Sequence, residues 1–191
     1  MVTLSVDDLI KSLSEKLPKH RFKHSLGVAY TATSLAMVYG VDLKKAEIAG
    51  LLHDCAKYLS LEDMIKATER NKIDITSIES NNESLLHSKA GAAVAMEEYG
   101  VEDNEILSSI KFHTTGKPGM SMIEKIIFLS DYIEPSRDKQ KRLDVIRKTA
   151  FEDIDKAVLY TLEDTMEYLN SLGTVVDPMT EETYKYYKEN S

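Results

Sequence analysis

AEIAGLLHDCAKYLS, residues 46 to 60, sets an imidazole and a carboxylate side by side. His53 and Asp54 follow a run of small and aliphatic residues that reads as the buried face of a helix. A desolvated ring nitrogen or carboxylate must find a hydrogen bond, a counter-ion or a metal, because burying either one unpaired is costly. For one such pair in isolation, a satisfied core histidine beside a capped aspartate is a sufficient account. The question passes outward, to whether the rest of the chain supplies groups of the same kind.

Around this stretch, apolar residues recur at spacings of three and four, which predicts helices near 5–17, 20–39, 42–57, 60–70, 83–99, 103–113, 120–134, 138–150 and 153–172. Gly40, Gly100 and Gly173 stand where helices end, and Ser60, Asn82 and Asp177 where helices begin. Strand signals are nearly absent; TVV at 174–176 is too short. The pattern predicts an all-α, single-domain helical bundle over residues 1–191, with a core at 18–172 and a helical tail at 177–191. TTGKPG at 114–119 is the most conspicuous irregular segment.

A formal net charge of -8 over 191 residues argues against a nucleic-acid groove, whose footprint is a basic face. No window approaches 18 consecutive apolar residues and the first residues do not read as a signal peptide, so neither a membrane span nor export is expected. Cys55 is the one cysteine, which rules out an internal disulfide, fits a reducing cytoplasm and reads as a small buried filler.

The histidines decide the function. His24 shares a stripe with Val28, Thr31, Leu35 and Val38; His53 lies over Ala46, Ala49 and Gly50; His87 precedes Gly91, Val94 and Ala95; His113 follows Ile106, Ser109 and Ile110. Asp131 has Ile127 and Phe128 one turn back. Four of the five histidines and two aspartates are thus expected to face inward on five helices, while His20 sits at a polar helix start. Pairing among themselves does not satisfy them all, and a metal does, because neutral imidazoles and ionised carboxylates are what a hard or borderline cation takes. A single zinc would leave two of the six unexplained, whereas two ions with one bridging carboxylate use them all. Iron or manganese fits a donor set without thiolate, and the sequence does not choose between them.

RFKHSLGVA, AGLLHDCAKYLS, LLHSKAGA, IKFHTTGKPGMS and FLSDYIEPSR together resemble the HD superfamily of metal-dependent phosphohydrolases. More narrowly they are similar to the YqeK family, bacterial symmetrical bis(5'-nucleosyl)-tetraphosphatases that split diadenosine tetraphosphate into two ADP. The resemblance runs from about residue 18 to 172. It implies a two-iron site with His24, His53, Asp54, His87, His113 and Asp131 as ligands and Asp54 bridging. It also implies substrate contacts from Arg21, Lys57, Thr114, Thr115 and Arg137, with His87 and Asp131 beside them, and catalytic work from Asp54, Lys57 and His87. The basic run RDKQKR at 137–142 and the tail DPMTEETYKYYKENS depart from the family's pattern.

The chemistry is consistent with that resemblance. Breaking a P–O–P link in a polyphosphate needs charge neutralisation, a nucleophile and in-line geometry, which a di-metal centre with an activated water supplies. Lys57 and Arg137 are candidates for phosphate oxygens, although Lys57 also reads as a solvated charge and Arg137 as a partner of Asp138. Lys117 and the hydroxyls of TTGKPG offer further contacts, or a plain turn. The tyrosines of TYKYYK, 183–188, read better as a tail packed on the domain than as an adenine stack. An HD-type nucleotidase or guanosine-tetraphosphate hydrolase, an oxygen-activating di-iron enzyme and a non-catalytic nucleotide sensor remain as alternatives, and apolar stripes on nearly every helix are compatible with a homodimer.

Overall fold

The computed structural model describes residues 5–190, and among them every regular element is helical. In chain order these are α1 (Val6–Lys16), α2 (Lys19–Tyr39), α3 (Leu43–Leu52), α4 (Leu61–Arg70), α5 (Glu83–Tyr99), α6 (Asn104–Lys111), α7 (Met122–Ile133), α8 (Leu143–Ala150), α9 (Ile154–Ser171) and α10 (Pro178–Asn190), with one short 3-10 turn at Glu79–Asn81. No helix among the described residues is long and apolar enough to cross a membrane.

The helices start and stop for local reasons. Asp42, Asn82 and Asp153 accept hydrogen bonds from the first free amides of α3, α5 and α9, at 2.9, 2.9 and 3.1 Å. Gly40 and Gly100 end α2 and α5 at φ 66° and 63°, a left-handed conformation that costs glycine little. Asp177 likewise caps the tail helix α10, through the amide of Met179 at 2.9 Å.

α7 is the central post. Its Ile123, Ile126, Ile127, Phe128 and Leu129 are all buried, and it packs against α2, α3, α6 and α9. α2 and α3 make the most extensive pairing in the molecule, with α3 also touching α6, while α5 carries α4 and α6 on its flanks. α8, α9 and α10 complete the far side of α7. In α10, Tyr187 and Thr183 are buried, so the tyrosine-rich tail packs on the domain as expected.

Three helix boundaries differ from those the periodicity predicts. α3 stops at Leu52 instead of running to 57, because the chain from His53 to Leu59 turns through three-residue hydrogen bonds, Cys55 to Leu52, Lys57 to Asp54 and Leu59 to Ala56. α6 likewise ends at Lys111, before His113. α8 begins at Leu143 and not at 138, since the left-handed Arg142, φ 52°, breaks the helical path just ahead of it. Val38, placed on the inward stripe of α2, is 53 % exposed because that stripe outruns the core.

Close helix contact is what brings α2 and α3 together. A Cβ on Gly50 would lie 2.7 Å from the Cα of Ala29, so the small residue lets the two backbones touch. Gly50→Ala is therefore expected to destabilise the fold by roughly 2 kcal/mol, the cost of overpacking against unyielding backbone. Thermal unfolding checks this: the melting temperature falls by about 4–8 °C, and an unchanged value contradicts the packing argument.

Candidate metal centre

All six inward groups meet. His24 comes from α2, His53 and Asp54 from the turn after α3, His87 from α5, His113 from just beyond α6 and Asp131 from α7. Each is buried except Asp131, whose side chain is 25 % exposed. Asp54 lies between two groups of donors. Its Oδ2 is 3.6 Å from His53 Nε2, and its Oδ1 is 3.2 Å from His87 Nε2 and 3.7 Å from His113 Nε2. On the first side, His24 Nε2 is 2.9 Å from Asp131 Oδ1 and 3.2 Å from His53 Nε2. On the second, His87 and His113 approach Nε2 to Nε2 at 3.0 Å.

The ring orientations are set from behind. His53 Nδ1 meets the carbonyl of Gly50 at 2.8 Å and His113 Nδ1 the carbonyl of Ile110 at 2.7 Å, in each case three residues back. A carbonyl only accepts, so both Nδ1 atoms carry the proton and both Nε2 atoms present lone pairs to the centre. Both rings thus fold back on the last turn of the helix that precedes them, α3 and α6. His24 Nδ1 meets Glu134 Oε1 at 3.0 Å. His87 differs: among the described residues its buried Nδ1 has no hydrogen-bond partner, and its Nε2 is 3.3 Å from the hydroxyl of Thr114.

Charge and burial oppose each other throughout. Burial drives His53 down to about 4 and also lowers His87, so both rings are neutral. Burial would raise Asp54, but the neighbouring imidazoles of His53, His113 and His87 hold it well below the usual carboxylate range. Asp131 is held down in the same way by His24, His53 and Arg137. His24 is the exception, since its bonds to Asp131 and Glu134 outweigh burial and raise it.

These residues can hold a metal ion. His24, His53 and Asp131, and again His53, Asp54 and His113, each offer donor atoms within 4.8 Å of one another. His24 and His53, and again His87 and His113, bring their Nε2 atoms to about 3 Å from one another, and His24 Nε2 comes as close to Asp131 Oδ1, an arrangement of converging donors that suits a shared cation. Oxygen and imidazole donors without thiolate complete the fit, because Cys55 donates its thiol to the Gly91 carbonyl at 3.4 Å and burial raises its pKa.

Of the expected substrate contacts, Arg21 reaches Asp54 Oδ2 at 3.2 Å and Arg137 bonds Asp131, not Asp138. Lys57 is partly buried and lowered by desolvation, within the field of Asp54 and Arg21; it stands in the turn, not on a helix continuing from Asp54. Thr114 meets His87, while the hydroxyl of buried Thr115 donates to the carbonyl of Gly116 at 2.9 Å. Lys117 is paired with buried Glu124 at 2.7 Å. His20 is exposed. Beside Asp131 and Arg137 opens a cleft of about 680 Å³, walled by Tyr132, Tyr168, Lys139 and Lys141.

Glu134 escaped the reading of the sequence. It is 1 % exposed, accepts from His24 at one oxygen and from the amide of Ser136 at 2.7 Å at the other, and occupies the space where Gly27 would carry a Cβ, 2.4 Å from its Oε2. A glutamate ahead of a proline looks like exposed loop. The one signal was its place in the block that also holds Asp131.

An all-α domain whose buried centre is built from histidine and aspartate, with an adjacent His-Asp pair at its middle, defines the class of HD-domain proteins. The HD domain model matches residues 21–136. Symmetrical bis(5'-nucleosyl)-tetraphosphatases are similar over most of their length: that of Bacillus subtilis is 37 % identical over 97 % of this chain and 98 % of its own, and that of Halalkalibacterium halodurans 40 % identical over 88 % and 89 %. The crystal structure of a predicted HD superfamily hydrolase involved in NAD metabolism, from Clostridium acetobutylicum, superposes with a TM-score of 0.94 at 40 % identity, over 98 % of this chain and 99 % of that one. The chain belongs to the HD domain family and, within it, to the symmetrical bis(5'-nucleosyl)-tetraphosphatases.

The arrangement behind His24 is open to test. Glu134→Ala frees that ring to rotate, and metal affinity is expected to fall by about 10- to 100-fold, the usual effect of removing the partner behind a ligating histidine. Metal titration by calorimetry reads this; affinity equal to wild type means that Glu134 does not orient the ring.

Proposed function

We propose that the protein hydrolyses diadenosine tetraphosphate symmetrically, converting one dinucleotide and one water into two ADP, at a centre of two divalent metal ions. The observation that carries this reading is the position of Asp54, whose two oxygens face separate groups of imidazoles, His53 on one side and His87 and His113 on the other. On this reading His24, His53 and Asp131 would hold one ion and His87 and His113 the other, with Asp54 available to both. Iron or manganese suits the donor set. Bound there, the ions would supply positive charge for the phosphoryl oxygens and the acidity that makes a water nucleophilic at neutral pH.

The chain's own residues receive and orient the polyphosphate. Arg21 and Arg137 lie against Asp54 and Asp131 at the edge of the centre, where each guanidinium would offer two parallel N–H donors to phosphate oxygens. Lys57, drawn toward neutrality by burial, regains a partner when an anion arrives beside it. Thr114 offers a hydroxyl next to His87. The bond that breaks joins the second phosphate to the third, so the water oxygen stays on one ADP and the other leaves as a phosphate oxyanion that needs little protonation. The cleft beside Arg137 gives one nucleoside room outside the phosphate track. A reducing compartment, the cytoplasm, suits such a centre.

Chromatography of the products tests the reaction: ADP alone supports it, while AMP with ATP, or preference for a mononucleotide or guanosine tetraphosphate, contradicts it. Asp54→Asn and His53→Ala are expected to lose at least about 1,000-fold in turnover, as befits a centre whose parts act together, with helical circular dichroism retained. Arg137→Ala should raise KM about 10-fold, the worth of one charge-assisted contact, with kcat within about threefold of wild type.

A further inference from the structure

The turn that carries Glu134 and Arg137 has no regular secondary structure to hold it. α7 ends at Ile133, and the chain then runs through Pro135 and Ser136 with a single backbone bond of its own, Arg137 N–H to the Glu134 carbonyl at 3.0 Å. Yet both side chains of this turn act at the centre. Glu134 fixes His24, and Arg137 donates from Nε to the Asp131 carbonyl at 2.8 Å, bonds the Asp131 carboxylate and stands 3.4 Å from His24 Nε2.

One side chain from another helix closes the turn. Arg147 of α8 donates from Nε to the carbonyl of Ile133 at 2.9 Å, and from one terminal nitrogen to the carbonyls of Glu134 and Arg137, each at 3.0 Å. A planar guanidinium thus spans the C-terminal end of α7 and the far end of the turn, where the helix leaves its last carbonyls without amides and a positive charge is favoured. Arg147 makes no contact with the metal-ligand side chains themselves.

We propose that Arg147 is a positioning residue for Arg137: by gathering three backbone carbonyls it fixes the 134–137 turn, and so aims the Arg137 guanidinium at the polyphosphate. The inference rests on the reading of Arg137 as a phosphate contact. It assigns a role to α8, a helix that contributes nothing else to the centre. A lysine at 147 keeps the charge but not the planar fork, so charge alone does not reproduce the clamp.

The test uses Arg147→Met and Arg147→Lys in the full-length, metal-loaded enzyme, with two readouts. Amide exchange at Ser136 and Arg137 reports the clamp directly, and both variants are expected to speed it by about 10-fold or more, since local opening governs exchange in such a turn. Kinetics report the consequence: KM rises about 5- to 10-fold with kcat within about threefold, and in an Arg137→Ala background either substitution changes KM by less than about twofold, because coupled residues are not additive. Unchanged exchange, wild-type behaviour of Arg147→Lys, or a full additive loss in the Arg137→Ala background each overturns the proposal. If Arg137→Ala alone leaves KM unchanged, the phosphate role of Arg137 fails, and the exchange result still decides whether Arg147 holds the turn.

Discussion

A carboxylate buried where helices meet governs this molecule. Asp54 is 3 % exposed, and an ionised group so placed is tolerable only when its desolvation is offset from every side. His53, His87 and His113 approach it from three segments, and Arg21 closes the fourth direction at 3.2 Å. The histidines are themselves buried and would prefer apolar surroundings only as neutral rings, which is why each is provided with an acceptor behind it or a hydroxyl beside it. Removing any member leaves the others worse off, so the centre is one cooperative unit and not a set of separate contacts.

The bundle's packing serves that unit. Gly50 lets α3 lie directly on the backbone of α2, which brings His24 and His53 to within 3.2 Å; Gly27 opens the space that Glu134 fills. Gly91 on α5 stands under the carbonyl of His53, where a Cβ would come within 3.2 Å. α7 delivers Asp131 from a spine of isoleucines whose burial leaves that helix no freedom to rotate. The irregular segments do the reaching: His53, Asp54 and His113 leave their helices just before the centre, and the turn after α7 carries Glu134 and Arg137 back to it.

Much of this was legible in the residues, for a definite reason. Helical period and end signals are local, so all the long helices could be read, and six polar groups on apolar stripes are conspicuous because burial makes them expensive. What the period could not convey was where a helix tightens and ends. Cys55 and Ala56 continue the apolar pattern of α3, yet the chain there tightens into three-residue hydrogen bonds while the His53 ring folds back on the Gly50 carbonyl. Thr115 and Lys117 have the right chemistry for phosphate, but their partners are the Gly116 carbonyl and buried Glu124. Glu134 meets His24 across 110 positions of sequence, and Arg147 acts on backbone carbonyls, which carry no residue identity; neither relation has a local signature.

The central claim is that Asp54 divides the donors into two cation sites sharing one carboxylate. Anaerobic titration of metal-free protein with ferrous ions, followed by metal analysis of the filtered complex, tests it most directly when wild type and Asp54→Asn are run together. The account predicts two equivalents per chain in the wild type and at most one in the variant, since an amide cannot bridge as a carboxylate does. One equivalent in the wild type, or two retained in the variant, would contradict it.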